Sequence, residues 1–282
     1  MLNYIRAELY KAAHRKYTWI MLALILLGEG ILFLICFENR EHMIFFAAAR
    51  VVGMVMVTGF FATLFTCDIV FAGQYQHGTL KNEVSFGLSR AKIYWGKFIA
   101  MTLLSIAVMI IALGLYLAVC RVMLPDYTPN AVYNEVFGVY EGGGALTALQ
   151  LVGLAILTEL PVWLGCQAII CAASFLLNSV LAANFGALGI VIGSYYAVGL
   201  IGMLVGIDSY AGKLLEKIFN YWLPYSILTA KSPGVAWLQE RPTPAILEID
   251  WGMIGRGWII GAFWFILATV LGLYFFHKKE IK

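Results

Sequence analysis

The sequence predicts an all-helical, polytopic membrane protein in which six helices cross the bilayer. Of its 282 residues, 62% are hydrophobic and only 12% are charged, whereas about 25% of a soluble domain is charged. Apolar stretches near the 20 residues needed to cross the hydrocarbon core occur six times. Basic residues also collect in alternate connections between these stretches, as in membrane proteins. We therefore expect one membrane-embedded domain over residues 1–282.

Residues 1–16 predict an amphipathic helix that lies on the membrane surface. Its apolar residues share one helical face: Leu2, Ile5, Leu9, Ala12 and Ala13. Basic and polar residues lie opposite: Lys11, His14 and Arg15. Such a helix binds an anionic leaflet, although a solvated basic tail is the alternative.

The predicted spans are residues 17–37, 43–67, 98–120, 149–177, 180–207 and 253–276. Only Asn178 and Ser179 separate the fourth span from the fifth. The first span is too long for a signal-peptide core and no small-residue cleavage site follows it, so we expect it to be retained.

Orientation follows from the charges. The N-terminal segment, the loop between spans two and three and the C-terminal tail together hold eleven of the 19 basic residues and four acids. Ten acids fall on the other side. Because an even number of spans places both tails on one side, the excess of lysine and arginine predicts that both termini are cytoplasmic.

No catalytic or metal site is predicted. The five cysteines contain no C-x-x-C pair, so neither a zinc site nor a disulfide framework is indicated; a bridge between Cys36 and Cys120, near outer helix ends, stays open. The four histidines lie outside the spans or at their edges, and no phosphate-binding P-loop occurs. If transport here uses ATP, another chain must hydrolyse it.

Two acids, Glu29 and Glu159, lie inside spans. A charge at mid-membrane costs at least about 2.5 kcal/mol, so such residues face a bundle interior or an aqueous cavity. They are candidates for a translocation path. The alternative is that each acid is hydrogen-bonded and holds helices together. Pro161, two residues after Glu159, favours a kink there.

The fifth span carries small residues along one face: Ala182, Gly186, Gly189, Gly193 and Ala197. Small residues allow helices to approach closely in lipid. Packing within the chain is the default expectation, and packing on a second copy is the alternative.

The cytoplasmic loop 68–97 predicts a short docking helix. Gly78 and Thr79 mark its start, with the threonine as N-cap. Leu80, Val84 and Leu88 then form one apolar stripe, which we interpret as a ridge offered to a soluble partner; an ordinary surface helix is the alternative. Gly87 loosens the end of the helix, and Ser89 begins the next one.

The segment 208–252 is predicted to lie outside the cell. Its first part, 208–222, has helical apolar spacing and predicts an amphipathic helix. Four prolines, Pro224, Pro233, Pro242 and Pro244, then oppose any long regular element.

At the loop 68–97 the chain resembles the permease subunits of the ABC type-2 transporter family. The family pattern is similar to E-x-x-x-G-T-[LI]-K, a P-[VI]-S-R-like turn and a lysine that opens the third span. The matching residues here are Gly78-Thr79, Ser89-Arg90 and Lys97. Gln74 stands where the family has glutamate, and Gly87 where it has proline. A second similarity is the run Tyr-Trp-Leu-Pro-Tyr-Ser at 221–226.

The resemblance implies a permease of a bacterial ABC exporter in the cytoplasmic membrane, acting as a homodimer or pseudodimer. ATP and Mg²⁺ would be bound by a separate ATP-binding subunit, with no cofactor in this chain. That subunit would contact a coupling helix formed by Gly78, Thr79, Leu80, Lys81, Val84, Leu88 and Arg90. Relatives of this size export antimicrobial or toxin-like peptides, including bacitracin-type, lantibiotic-immunity and phenol-soluble-modulin systems.

Two other classes of function are weaker expectations. A secondary transporter or channel would use Glu29 and Glu159 as ion or proton sites without an ATPase. A membrane enzyme would need a catalytic constellation that the sequence does not contain. No nucleic-acid partner is expected, because the net charge is only +3.

Overall fold

A computed structural model describes residues 1–38, 52–71, 79–123, 148–177, 179–206, 209–219, 222, 235–237, 247–249 and 251–278. The described helices, in chain order, are α1 Leu2–Ala13, α2 Lys16–Glu38, α3 Val52–Phe71, α4 Thr79–Ser85, α5 Arg90–Met123, α6 Ala148–Leu177, α7 Val180–Val205, α8 Tyr210–Phe219 and α9 Trp251–Lys278. Two strands, β1 Val235–Trp237 and β2 Leu247–Ile249, lie between α8 and α9 in sequence.

Within the described residues, four helices are long and apolar enough to cross a membrane, namely α5, α6, α7 and α9. Two further apolar helices are α2, which covers the first predicted span, and α3, which overlaps the second predicted span from Val52 to residue 67. Residues 43–51 of that second span lie outside the described residues. The third predicted span, 98–120, is part of the longer helix α5, which begins eight residues earlier.

The described fold is helical, as expected, apart from one short strand pair. β1 and β2 pair antiparallel, with Val235 opposite Ile249 and Trp237 opposite Leu247. Pro242 and Pro244 lie between the strands in sequence. Proline removes a helical hydrogen bond and clashes with the preceding turn, so two short strands agree with the expectation that this part of the segment forms no long regular element.

The closest helix pair is α6 and α9, and it is built on glycine. A Cβ on Gly261 would lie 2.2 Å from the carbonyl carbon of Pro161, and a Cβ on Gly257 would lie 2.6 Å from the carbonyl oxygen of Thr158. Gly165 faces Gly261 from the other helix. The two backbones therefore touch at distances that no larger residue allows.

Pro161 sits inside α6 and leaves a carbonyl without its helical donor. The carbonyl oxygen that lacks a helical donor is that of Leu157, four residues earlier. The indole Nε1 of Trp258 on α9 donates to this oxygen at 3.1 Å. Helix α9, which packs closely on Pro161, thus donates the hydrogen bond that the Leu157 carbonyl would otherwise lack.

Helix α3 is held by polar contacts to three neighbours. Trp163 Nε1 donates to Thr63 Oγ1 at 2.7 Å, the hydroxyls of Thr66 and Ser105 lie 2.6 Å apart, and Asn184 Nδ2 donates to the Leu64 carbonyl at 3.0 Å. These residues connect α3 to α6, α5 and α7, respectively. Interhelical hydrogen bonds of this type contribute about 0.6 kcal/mol each in membranes.

An aromatic cluster fills the core near the ends of α3, α6 and α9. The Phe175 ring stacks on Tyr94, with centroids 5.2 Å apart, and meets Phe71 edge-on at 4.9 Å. Phe276 lies 4.4 Å from Phe175. All four side chains are at most 2% exposed, so the cluster fixes α9 against α5 at this end of the bundle.

Helix α7 differs from its neighbours because most of its surface faces outward. Among the described residues, nothing lies within 4 Å of a Cβ built on Gly186, Gly189 or Gly193. The expectation that this small-residue face packs within the chain is therefore not met by the part of the chain that the structure describes.

Candidate functional site

The short helix α4 lies at the end of the bundle that also carries α1, the start of α5 and the end of α9. Its C-terminus is a Schellman motif. Gly87 has φ +85°, its N–H donates to the Val84 carbonyl at 3.0 Å, and the Leu88 N–H donates to the Glu83 carbonyl at 3.3 Å. Gly87 therefore ends the helix sharply and turns Leu88 back toward the protein. Ser89 then caps α5 by accepting from the Lys92 N–H at 3.4 Å.

The apolar stripe of α4 faces the interior of this protein. Leu80 is 7% exposed and belongs to the main core cluster, and Val84 and Leu88 pack against that cluster. The side chain of Leu80 is therefore covered by the chain itself, whereas Val84 and Leu88 are only partly covered. The contact of these three residues with a partner stays a prediction.

The opposite side of α4 is open. Lys81, Asn82, Ser85 and Phe86 are exposed, and Phe86 shows 87% of its surface. A phenyl ring is rarely left this open without a reason, and aromatic side chains are enriched at protein interfaces. Lys81 was predicted to bind a partner. Phe86 was not, because it falls outside the Leu80–Val84–Leu88 spacing.

Arg90, which was expected to contact a partner, binds backbone carbonyls of its own chain. Its Nη1 donates to the Phe276 carbonyl at 2.8 Å and also to the carbonyl of His277. Its guanidinium carbon lies 5.9 Å from the centre of the Phe276 ring. Arg15 acts similarly on α3, because it donates to the carbonyl of Ile69. Both cations satisfy carbonyls at helix C-termini, where the helix dipole favours positive charge.

A buried charge cluster lies beside α4. The Lys97 side chain is fully buried. Its Nζ lies 3.5 Å from Glu8 Oε2 and 3.7 Å from Glu83 Oε1. The faces of Tyr4 and Phe71 lie 5.5 Å and 5.8 Å from the ammonium, within the range of cation–π attraction. The cluster joins three elements, namely α1, α4 and α5.

Tyr4 completes the cluster. Its hydroxyl donates to Glu83 Oε2 at 2.8 Å, and a Cβ on Gly96 would lie 2.3 Å from its ring. Burial, followed by the negative charges of Glu83 and Glu8, raises the pKa of Tyr4 far above its ordinary value. The phenol therefore remains a hydrogen-bond donor throughout the physiological pH range.

This cluster was not predicted as a site, although Lys97 was matched to the family pattern. One signal was present in the sequence. Glu8 lies between Ile5 and Ala12 on the face of α1 that the structure buries. A carboxylate at the centre of an apolar stripe indicates a buried cationic partner, since buried charges are paired.

The remaining predicted site residues are only partly described, and a path through Glu29 and Glu159 stays a prediction. Glu159 is half-buried on α6, while the side chain of Glu29, like Gly78 and the side chain of Thr79, lies outside the described residues. Cys67, Cys120, Cys166 and Cys171 are buried, and the side chain of Cys36 is outside the described part. Among the described residues, no group of three His, Cys, Asp or Glu side chains could hold a metal ion.

Comparison with protein families matches residues 2–281 to a family with the description ABC-2 family transporter protein. A comparison with curated proteins finds no match, and neither does a comparison with solved structures. The match spans all the helices of the bundle, including α1, α4 and α9. The family indicated by the residues around Gly78 and Lys97 is thereby confirmed: this chain belongs to the ABC-2 family of transporter proteins.

Proposed function

We propose that the chain is the permease subunit of an ATP-driven exporter and that its ATP-binding subunit docks on the exposed side of α4. Family membership supports a membrane subunit of an ABC transporter. The observation that carries the docking surface is Phe86, which is 87% exposed in the turn directly after α4, a short helix whose other side is anchored in the core. Because α4 is anchored in the core, a displacement that the partner imposes through the exposed Phe86 ring is passed on to the helix bundle.

The proposed topology has six spans, with α2 and α3 as the first two, and both termini in the cytoplasm of a bacterial cell. The charge pattern supports this orientation. The basic residues Arg15, Arg90 and Lys97 all lie at the end of the bundle that holds α1 and α4. ATP and Mg²⁺ belong to the partner subunit in this scheme.

We further propose that two copies of the permease form the pathway and that α7 faces the second copy. The open face around Gly186, Gly189 and Gly193 supports this arrangement, because small residues allow close helix approach in lipid. An amphipathic or antimicrobial peptide is the proposed cargo, by similarity to relatives of this size. Glu159 is the candidate on the path for a cationic group of such a peptide.

The docking proposal is tested by co-expressing the permease with the ATP-binding subunit of the neighbouring gene. We expect Lys81→Ala/Phe86→Ala to lower co-purification by tenfold or more, since truncation of a central aromatic interface residue costs about 2 kcal/mol or more. Trp251→Ala is the matched control, because Trp251 is also an exposed aromatic but lies at the opposite end of α9, about 38 Å away along the helix.

Equal co-purification of the two variants would contradict the docking surface. Uptake driven by an ion gradient in liposomes that contain this chain alone would favour the secondary transporter instead. In that case, Glu159→Gln should abolish the uptake.

A further inference from the structure

The carboxylates around Lys97 divide their oxygens between two tasks. Glu8 presents Oε2 to Lys97 and Oε1 to Lys11, which lies 2.9 Å away on the same helix. Glu83 presents Oε1 to Lys97 and accepts from Tyr4 with Oε2. Two lysines and two glutamates make the cluster electrically neutral. Each acid has a contact of its own besides the shared ammonium.

Lys97 is the member that the others have in common. It lies on α5, whereas Glu8 is on α1 and Glu83 is on α4. Both nitrogen–oxygen distances exceed that of a direct hydrogen bond, so the ammonium is held by charge and by the two ring faces. A fully buried ammonium without compensating charge would be strongly destabilising. Helices α1 and α4 are therefore both held by the ammonium group of Lys97.

We propose that Lys97 is a positioning residue that couples the N-terminal helix α1 to the docking helix α4, so that α1 responds when a partner occupies α4. This inference rests on the proposed function, because it takes α4 as the site of the ATP-binding subunit. A displacement of Glu83 by the partner changes the field at Lys97 and, through Lys97, at Glu8. The N-terminal helix is then part of the moving unit rather than a passive membrane anchor.

The variants separate the charge from the fold. Glu8→Gln/Glu83→Gln leaves the ammonium buried without a counter-charge, so we expect a large loss of folded permease. Glu8→Gln/Glu83→Gln/Lys97→Met removes the buried charges of the cluster and leaves only Lys11, whose side chain is half exposed, and replacement of buried ion pairs by neutral groups is often tolerated. The triple variant should therefore fold and dock while it lacks the link. Lys92→Met is the matched control, because Lys92 is an exposed lysine on the same helix.

The readout is hydrogen–deuterium exchange of residues 1–15 and 79–90, measured with and without the co-expressed ATP-binding subunit. In the wild type and in Lys92→Met, binding should slow exchange in both segments. The slowing in α1 should be about tenfold, within the range typical of coupling between two sites. In the triple variant, binding should slow exchange in 79–90 alone.

Three results would overturn the proposal. The first is slowing of residues 1–15 in the triple variant as in the wild type, which would mean that the partner covers α1 directly. The second is protection of 79–90 without any response of 1–15 in the wild type. The third concerns the case in which residues 79–90 are not protected by the ATP-binding subunit, so that the proposed function fails. The coupling of α1 to α4 is then tested on the permease alone. Equal exchange of residues 1–15 in the triple variant and in the wild type contradicts that coupling.

Discussion

Trp258 and Pro161 show how one residue compensates for another across a helix pair. The indole donates to the Leu157 carbonyl that the proline leaves without a donor. We expect Trp258→Phe to lower the free energy of unfolding by about 1 kcal/mol, the net value of one such hydrogen bond. Thermal unfolding in detergent provides the measurement.

A double-mutant cycle isolates this hydrogen bond. In the Pro161→Ala background, the backbone N–H of residue 161 can reach the Leu157 carbonyl, so Trp258→Phe should cost less there than in the wild type. Equal costs in the two backgrounds would show that Trp258 stabilises the pair by packing alone.

At the scale of single elements, one side of α4 packs on the chain and the proposed docking surface lies on the other side. Leu80 is buried in the core cluster, so Leu80→Ala should destabilise the isolated permease by about 2–5 kcal/mol. Phe86→Ala removes an exposed ring and should leave the unfolding temperature of the isolated permease nearly unchanged.

The comparison is made without an ATP-binding subunit, so docking cannot influence the result. If Leu80→Ala and Phe86→Ala had equal and small effects on the unfolding temperature, α4 would not be anchored by its apolar stripe. The apolar side of the helix would then be available to a partner after all.

At the scale of the whole molecule, the bundle is joined along the seam between α6 and α9. Gly261→Ala would place a Cβ 2.2 Å from Pro161, which forces the helices apart. We expect a loss of roughly 1–3 kcal/mol, as for overpacking elsewhere, measured by thermal unfolding and by the rate of proteolysis. Gly255→Ala is the matched control on the same helix, since nothing lies within 4 Å of its Cβ among the described residues.

The α6–α9 seam could not be predicted from sequence spacing alone. Small residues recur on the fifth predicted span and on α9, and both patterns favour close packing in lipid. The tertiary structure uses Gly257 and Gly261 of α9, whereas the small face of α7 is open among the described residues. A helical pattern identifies a face that can be approached closely, but the partner depends on the connections and shapes of all the other helices.

The apolar stripe of α4 illustrates the same limit at the candidate site. Its spacing correctly predicts a helix with one buried side, because Leu80, Val84 and Leu88 do share a face. Spacing does not reveal whether that face is covered by the chain or by another protein, since both environments exclude water from apolar surface equally well.

Composition, hydropathy and charge by themselves determined that this chain is a helical membrane protein, and the residues Gly78-Thr79, Ser89-Arg90 and Lys97 indicated its family. These properties are local. Because each span must satisfy its own backbone hydrogen bonds in lipid, each span is a run of consecutive apolar residues that can be recognised in the sequence. Only the tertiary structure decided that Arg90 caps α9, that Phe86 is exposed directly after α4, and that Lys97 lies between Glu8 and Glu83. Those contacts join residues up to 187 positions apart, and attraction between charges depends on their distance in space rather than along the chain.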